Sequence, residues 1–82
     1  MKYQISYEKE ALKELERLEP NVSRRIVDKI DKMSENLASC DIKKLKASDY
    51  YRLRVGDYRI ILIFDNNFIK ILKIGHRQQI YG

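Results

Sequence analysis

The residues best suited to chemistry are the arginines in the stretch Tyr50 to Arg59, YYRLRVGDYR. A guanidinium carries a fixed planar fork of donors that matches phosphate oxygens. Tyr51, Leu53 and Val55 alternate with Tyr50, Arg52 and Arg54, the period of a half-buried strand, so Arg52 and Arg54 share its outer face. Gly56-Asp57 predicts a tight turn, because glycine takes the positive φ that such hairpins need. The chain then returns through Tyr58-Arg59 into Ile60 to Phe64. A returning strand places Arg59 beside Arg52 and Arg54, and three guanidiniums on one sheet predict a phosphate-binding surface.

Other elements must hold that hairpin. Lys2 to Tyr7 alternates as a first strand, with Tyr3, Ile5 and Tyr7 on one face. From Glu8 the period changes to that of a helix, with Ala11, Leu12, Leu15 and Leu18 as its apolar stripe. Glu8 and Glu10 sit near its start, where negative charge suits the helix dipole. Pro20 ends this helix and opens the next as its first residue. The second helix is predicted from about Asn21 to about Leu37, with Val22, Ile26, Ile30, Met33 and Leu37 as one stripe. Two amphipathic helices joined at a proline suggest an antiparallel hairpin buried against the sheet. Ala38 to Ser48 reads as irregular, with a basic knot at Lys43, Lys44 and Lys46. A turn at Asp65-Asn66-Asn67 precedes a last strand, Phe68 to Ile74. The predicted fold class is α+β: strand, helix, helix, then a three-strand antiparallel sheet, with the helical hairpin on one face and the other face open.

The 82 residues bound what such a domain can do, and residues 1–82 read as one domain. A modest core fits; a deep enclosed pocket beside it does not. The hydrophobic fraction of 44% belongs to a folded chain. A net charge of +5 and a pI near 9.4 favour a polyanionic partner, nucleic acid or an acidic protein segment. Cys40 is the single cysteine, which excludes an internal disulfide and a cysteine-based metal site. That usage and the charged N-terminus, without a signal peptide, fit a reducing cytosol. The longest apolar run, Ile60 to Phe64, is too short to span a bilayer.

The order of elements and two motifs, "YYRLRVGDYRII" and the terminal "IGHRQQIY", give the chain a resemblance to a known family. With "EKEALKELERL" and "IKKLKA" in their places, nearly the whole chain resembles the RelE-like branch of the RelE/ParE superfamily of bacterial and archaeal toxins. The resemblance implies a ribosome-dependent endoribonuclease that cuts messenger RNA in the A site. In that chemistry the 2′-hydroxyl attacks the adjacent phosphate, with no metal and no cofactor. It also implies a cognate RelB-like antitoxin in a toxin–antitoxin hetero-oligomer, ribosome and mRNA as further partners, and a cytoplasmic location away from membranes. The family's catalytic positions fall on Arg52, Arg54, Arg59 and Arg77, with Tyr81 at the place of the C-terminal tyrosine. Two departures stand out. The first two positions are lysines in the best-known members, and the Arg77-to-Tyr81 spacing is shorter than in some.

In-line cleavage needs a base for the 2′-hydroxyl, positive charge around the phosphorane and a proton for the leaving 5′-oxygen. The arginines supply charge, but a guanidinium stays protonated and is a poor base. His76 and Tyr81 remain as candidate bases; Tyr81 can instead stack on an RNA base, and positioning by the ribosome can carry much of the rate. Without the resemblance, Arg52 and Arg54 read as ordinary solvent-facing strand residues, and Arg59 beside Asp57 as a turn ion pair. His76 reads equally as a half-buried strand-end residue. Lys43, Lys44 and Lys46 are either a solvated loop or a grip on ribosomal RNA phosphates. Two rival functions share the fold: a ParE-like inhibitor of DNA gyrase, and a catalytically decayed toxin kept as an antitoxin-binding module.

Overall fold

The structure, a computed structural model, describes residues 3–80. Strand β1 (Gln4–Tyr7) leads into helices α1 (Lys9–Arg17) and α2 (Pro20–Glu35). A single 3-10 turn (Leu37–Ser39) precedes β2 (Ile42–Lys44), β3 (Tyr51–Val55), β4 (Tyr58–Phe64), β5 (Phe68–His76) and the short α3 (Arg77–Ile80). The five strands form one sheet in the order β1-β5-β4-β3-β2. Strand β1 runs parallel to β5, and every other pairing is antiparallel. No helix among the described residues is long and apolar enough to cross a membrane.

The helical hairpin forms where Pro20 occupies the first turn of α2, its fixed φ already helical and its missing N–H not needed there. The Ser23 hydroxyl donates to the Leu15 carbonyl at 2.6 Å and pins the end of α1 to the start of α2. Ala11, Ile26, Ile30 and Met33 are fully buried from the helices, against Leu53, Ile60, Leu62, Ile69 and Ile71 from the sheet. Each isoleucine so buried contributes about 2 kcal/mol of transfer free energy. Leu12, counted in the α1 stripe from its spacing, is 45% exposed instead. Its neighbour Ala11 takes the central contact, because a small side chain there brings α1 close to β5.

Three elements differ from the sequence expectation. Ile42 to Lys44 is an edge strand rather than part of an irregular loop: Ile42, Lys43 and Lys44 pair with Leu53, Arg52 and Tyr51. A run of three residues with two lysines carries too little apolar periodicity to be read as a strand, and charge on an edge strand guards against pairing with other chains. The last strand runs to His76, past a bulge at which Ile61 pairs with Lys73 and Leu62 with Ile71, leaving Leu72 as the extra residue. The chain then coils once more as α3. The turn expected at Asp65-Asn66-Asn67 is present and is closed by the Asp65 carboxylate, whose Oδ1 accepts from the Asn67 and Phe68 N–H groups at 2.9 and 3.2 Å. Among described non-glycine residues only Ala47 takes a positive φ, 57°.

Candidate nucleic-acid interface

Register alone sorts the hairpin into two faces. Leu53 pairs with Ile60, and both are fully buried under the helices. Arg52 pairs with Ile61 and Arg54 with Arg59, so these four turn to the face opposite the helical hairpin. Lys43 stands beside Arg52 on that face, and Lys73 lies across from Ile61. The next row reads Arg54, Arg59, Gly75. Gly56, with φ of 57°, makes the turn that folds Arg54 back onto Arg59.

The arginines are not equivalent. Arg54 has 57% of its side chain exposed and only a 4.0 Å contact with Asp41. Arg59 is 9% exposed, and its Nη1 donates to the Gly56 and Tyr58 carbonyls at 2.8 and 3.0 Å. Arg59 therefore closes the turn that carries it. Its Nε and Nη2 make no hydrogen bond among the described residues, and no side-chain nitrogen or oxygen there is both sealed from solvent and unpaired. Arg52 is 15% exposed and lies 3.7 Å from Asp41, the carboxylate it shares with Arg54. The expected Arg59–Asp57 ion pair is replaced by a longer-range contact: Asp57 faces Arg77, 4.0 Å from its Nε, while the Arg77 N–H donates to the Asp57 carbonyl at 2.8 Å. Arg77 thus reaches the same hairpin turn from the first residue of α3, with its side chain 55% exposed.

The remaining sequence candidates separate. Register puts His76 opposite Tyr58, on the helix side of the sheet, where the two rings meet edge to face with centroids 5.6 Å apart. Its Nδ1 accepts from the Gln78 N–H at 3.2 Å, an assignment that leaves the neutral ring's proton on Nε2. His76 is therefore part of the joint between β5 and α3 and does not share the arginine face. Lys43 joins that face; Lys44, paired with Tyr51, is exposed on the other; Lys46 lies in the β2–β3 turn beside Ala47. Tyr81 lies outside the described residues. Lys73 was missed in the sequence reading, because the bulge that turns it to this face has no signature in the local pattern. Tyr50, which alternates in phase with Arg52 and Arg54, is 48% exposed.

This arrangement is an open cationic sheet face around one tight turn, with two exposed guanidiniums (Arg54, Arg77) flanking a braced one (Arg59). Its resemblances are specific. Residues 5–81 match the family model described as the ParE toxin of the type II toxin-antitoxin system, parDE. A protein of Methanocaldococcus jannaschii described as putative toxin RelE1 is 33% identical, over 99% of this chain and 97% of its own length. The toxin of the RelB-RelE antitoxin-toxin complex from Methanococcus jannaschii superposes with a TM-score of 0.75 at 32% identity, over 92% of this chain and 93% of that one. That of the archaeal RelE-RelB complex from Pyrococcus horikoshii gives 0.78 at 31% identity, over 96% and 99%. The chain belongs to the ParE toxin family within the RelE/ParE superfamily and is a toxin of a type II toxin–antitoxin system.

Proposed function

We propose that this toxin is a ribosome-dependent endoribonuclease that cuts messenger RNA in the A site, and that a RelB-like antitoxin holds it inactive by covering the open basic face. The observation that carries this reading is the pairing of Arg54 with Arg59 beside Arg77, three guanidiniums around one turn on a face the helical hairpin leaves uncovered. Attack of the 2′-hydroxyl on the adjacent phosphate builds negative charge on the phosphorane oxygens. Exposed, pre-positioned guanidiniums are suited to hold it.

Each residue has a distinct part in this reading. Arg54 and Arg77 grip the scissile phosphate, and Arg59 fixes the turn while presenting its remaining donors from below. Arg52 and Lys43 neutralise flanking phosphates, while Lys44 and Lys46 face ribosomal RNA. His76 holds α3 through Gln78, and Tyr81 keeps the place of the family's C-terminal tyrosine. With no lysine at the hairpin positions, in-line positioning by the ribosome supplies much of the rate. The location in this reading is the cytoplasm, where ribosomes are.

The matching family model is that of a ParE toxin, which favours gyrase inhibition as the second reading. Loss of growth arrest on Arg77→Ala, in a variant with an unchanged circular dichroism spectrum, supports the nuclease. Undiminished arrest by the folded variant removes Arg77 from the mechanism, and gyrase-dependent breakage of supercoiled plasmid would establish the rival.

A further inference from the structure

The open face has a second half that the guanidiniums do not occupy. Tyr51 pairs with Leu62 on the helix side, so continuing the alternation one residue before β3 turns Tyr50 to the open face, level with Ile63. Ile69 is buried under the helices opposite Phe64, so Phe68, one residue earlier, turns to the open face as well. Tyr50 and Phe68 are 48% and 39% exposed, two of the three exposed large apolar side chains among the described residues. They stand on the flanks of β4, about 12 Å apart by strand spacing, with the partly buried Ile63 between them and Lys70 across from it on β5. The first guanidinium, Arg52, comes two residues further along β3, roughly 7 Å away, and Arg54 four residues along, roughly 13 Å away. Two acids flank this strip, Asp49 before Tyr50 and Asp65, whose Oδ1 accepts from the Phe68 N–H at 3.2 Å, while Glu8 is paired with Lys70 at 2.9 Å.

Resting on the proposed messenger RNA reading, we infer that Tyr50 and Phe68 form a base-stacking platform that holds nucleotides flanking the scissile phosphate. Sheet-borne rings beside a cationic row suit single-stranded RNA, because each base has an apolar π-face and each phosphate a charge. Ile63 offers apolar contact between the two rings. A platform of this kind accepts any base and so contributes affinity rather than a strict sequence requirement. Both side chains are exposed, so their removal leaves the core intact.

The test uses the full chain and ribosomes programmed with a message carrying a 2′-deoxy nucleotide at the cut site, which blocks attack. Binding is measured to this message and to a matched one made abasic in and around the A-site codon. The wild-type protein is expected to bind the abasic message about tenfold more weakly. The double variant Tyr50→Ala/Phe68→Ala is expected to start about tenfold weaker and to ignore base removal; Tyr50→Phe/Phe68→Tyr is expected to match wild type. A folded alanine variant that keeps the wild-type dependence on bases overturns the inference. So does one that binds the message normally but loses a RelB-like antitoxin, since the strip is then a protein-docking surface. Cutting of the all-ribose message by wild-type protein is read in parallel, and its absence overturns the proposed function independently of the binding results.

Discussion

Arg54 and Arg59 face each other across the β3–β4 ladder, yet one guanidinium is 57% exposed and the other ties the turn through Gly56 and Tyr58. The same residue type at neighbouring positions therefore has two jobs, and mutation should separate them. Hydrogen bonds from a charged donor are worth about 1.5–3 kcal/mol. Arg59→Ala is expected to lower unfolding free energy by about 2 kcal/mol, while Arg54→Ala, on the surface, should change it by less than about 0.5 kcal/mol. Urea unfolding of the two variants checks this. Equal stability of both would mean that Arg59 does not brace the turn. Both variants should lose growth arrest.

The β2–β3 turn stores strain at Ala47, whose φ of 57° places its Cβ close to the following carbonyl. Glycine adopts that conformation freely, at some cost in unfolded-state entropy. Ala47→Gly is expected to stabilise the protein by about 0.5–1 kcal/mol, read as an upward shift of the urea midpoint at constant slope. A destabilised variant would show that the turn does not need left-handed backbone. The position flanks Lys46, so wild-type activity in the same variant would separate turn geometry from lysine charge.

Tyr7 is held above the ordinary phenol range, first by burial and second by the nearby Asp31 carboxylate, both of which disfavour the phenolate. A group whose folded value lies above its unfolded value contributes stability that is full below about pH 10 and lost as pH rises through the folded value. Wild-type stability should therefore fall above about pH 10 more steeply than that of Tyr7→Phe. Urea midpoints taken on either side of that pH check the sign. Parallel curves for the two proteins would contradict it.

Much of this was legible in the sequence because the hairpin and the two helices each carry a clear period. Alternation alone assigned Arg52 and Arg54 to one face, and Gly56 fixed the register that brings Arg59 back to them. What failed to show depends on contacts distant in sequence. The edge strand at Ile42 exists only because β3 pairs with it. Lys73 joins the open face only because Leu72 is the extra residue of a bulge. His76 reads as a free imidazole in a basic segment, and only the Tyr58 ring and the Gln78 N–H show that it anchors α3. Tyr50 and Tyr51 look alike in sequence; one lies open and the other packs at a tilt against Phe64 with ring centroids 4.5 Å apart.

The most direct test of the nuclease reading mixes the purified protein with a ribosome programmed with a defined message and maps the new ends by primer extension, beside free RNA. One cut in the A-site codon that needs the ribosome, leaves a 5′-hydroxyl and disappears with a 2′-deoxy nucleotide at the cut site is the expected result. An intact message, with the protein shown folded, would contradict the nuclease reading and send the search to gyrase.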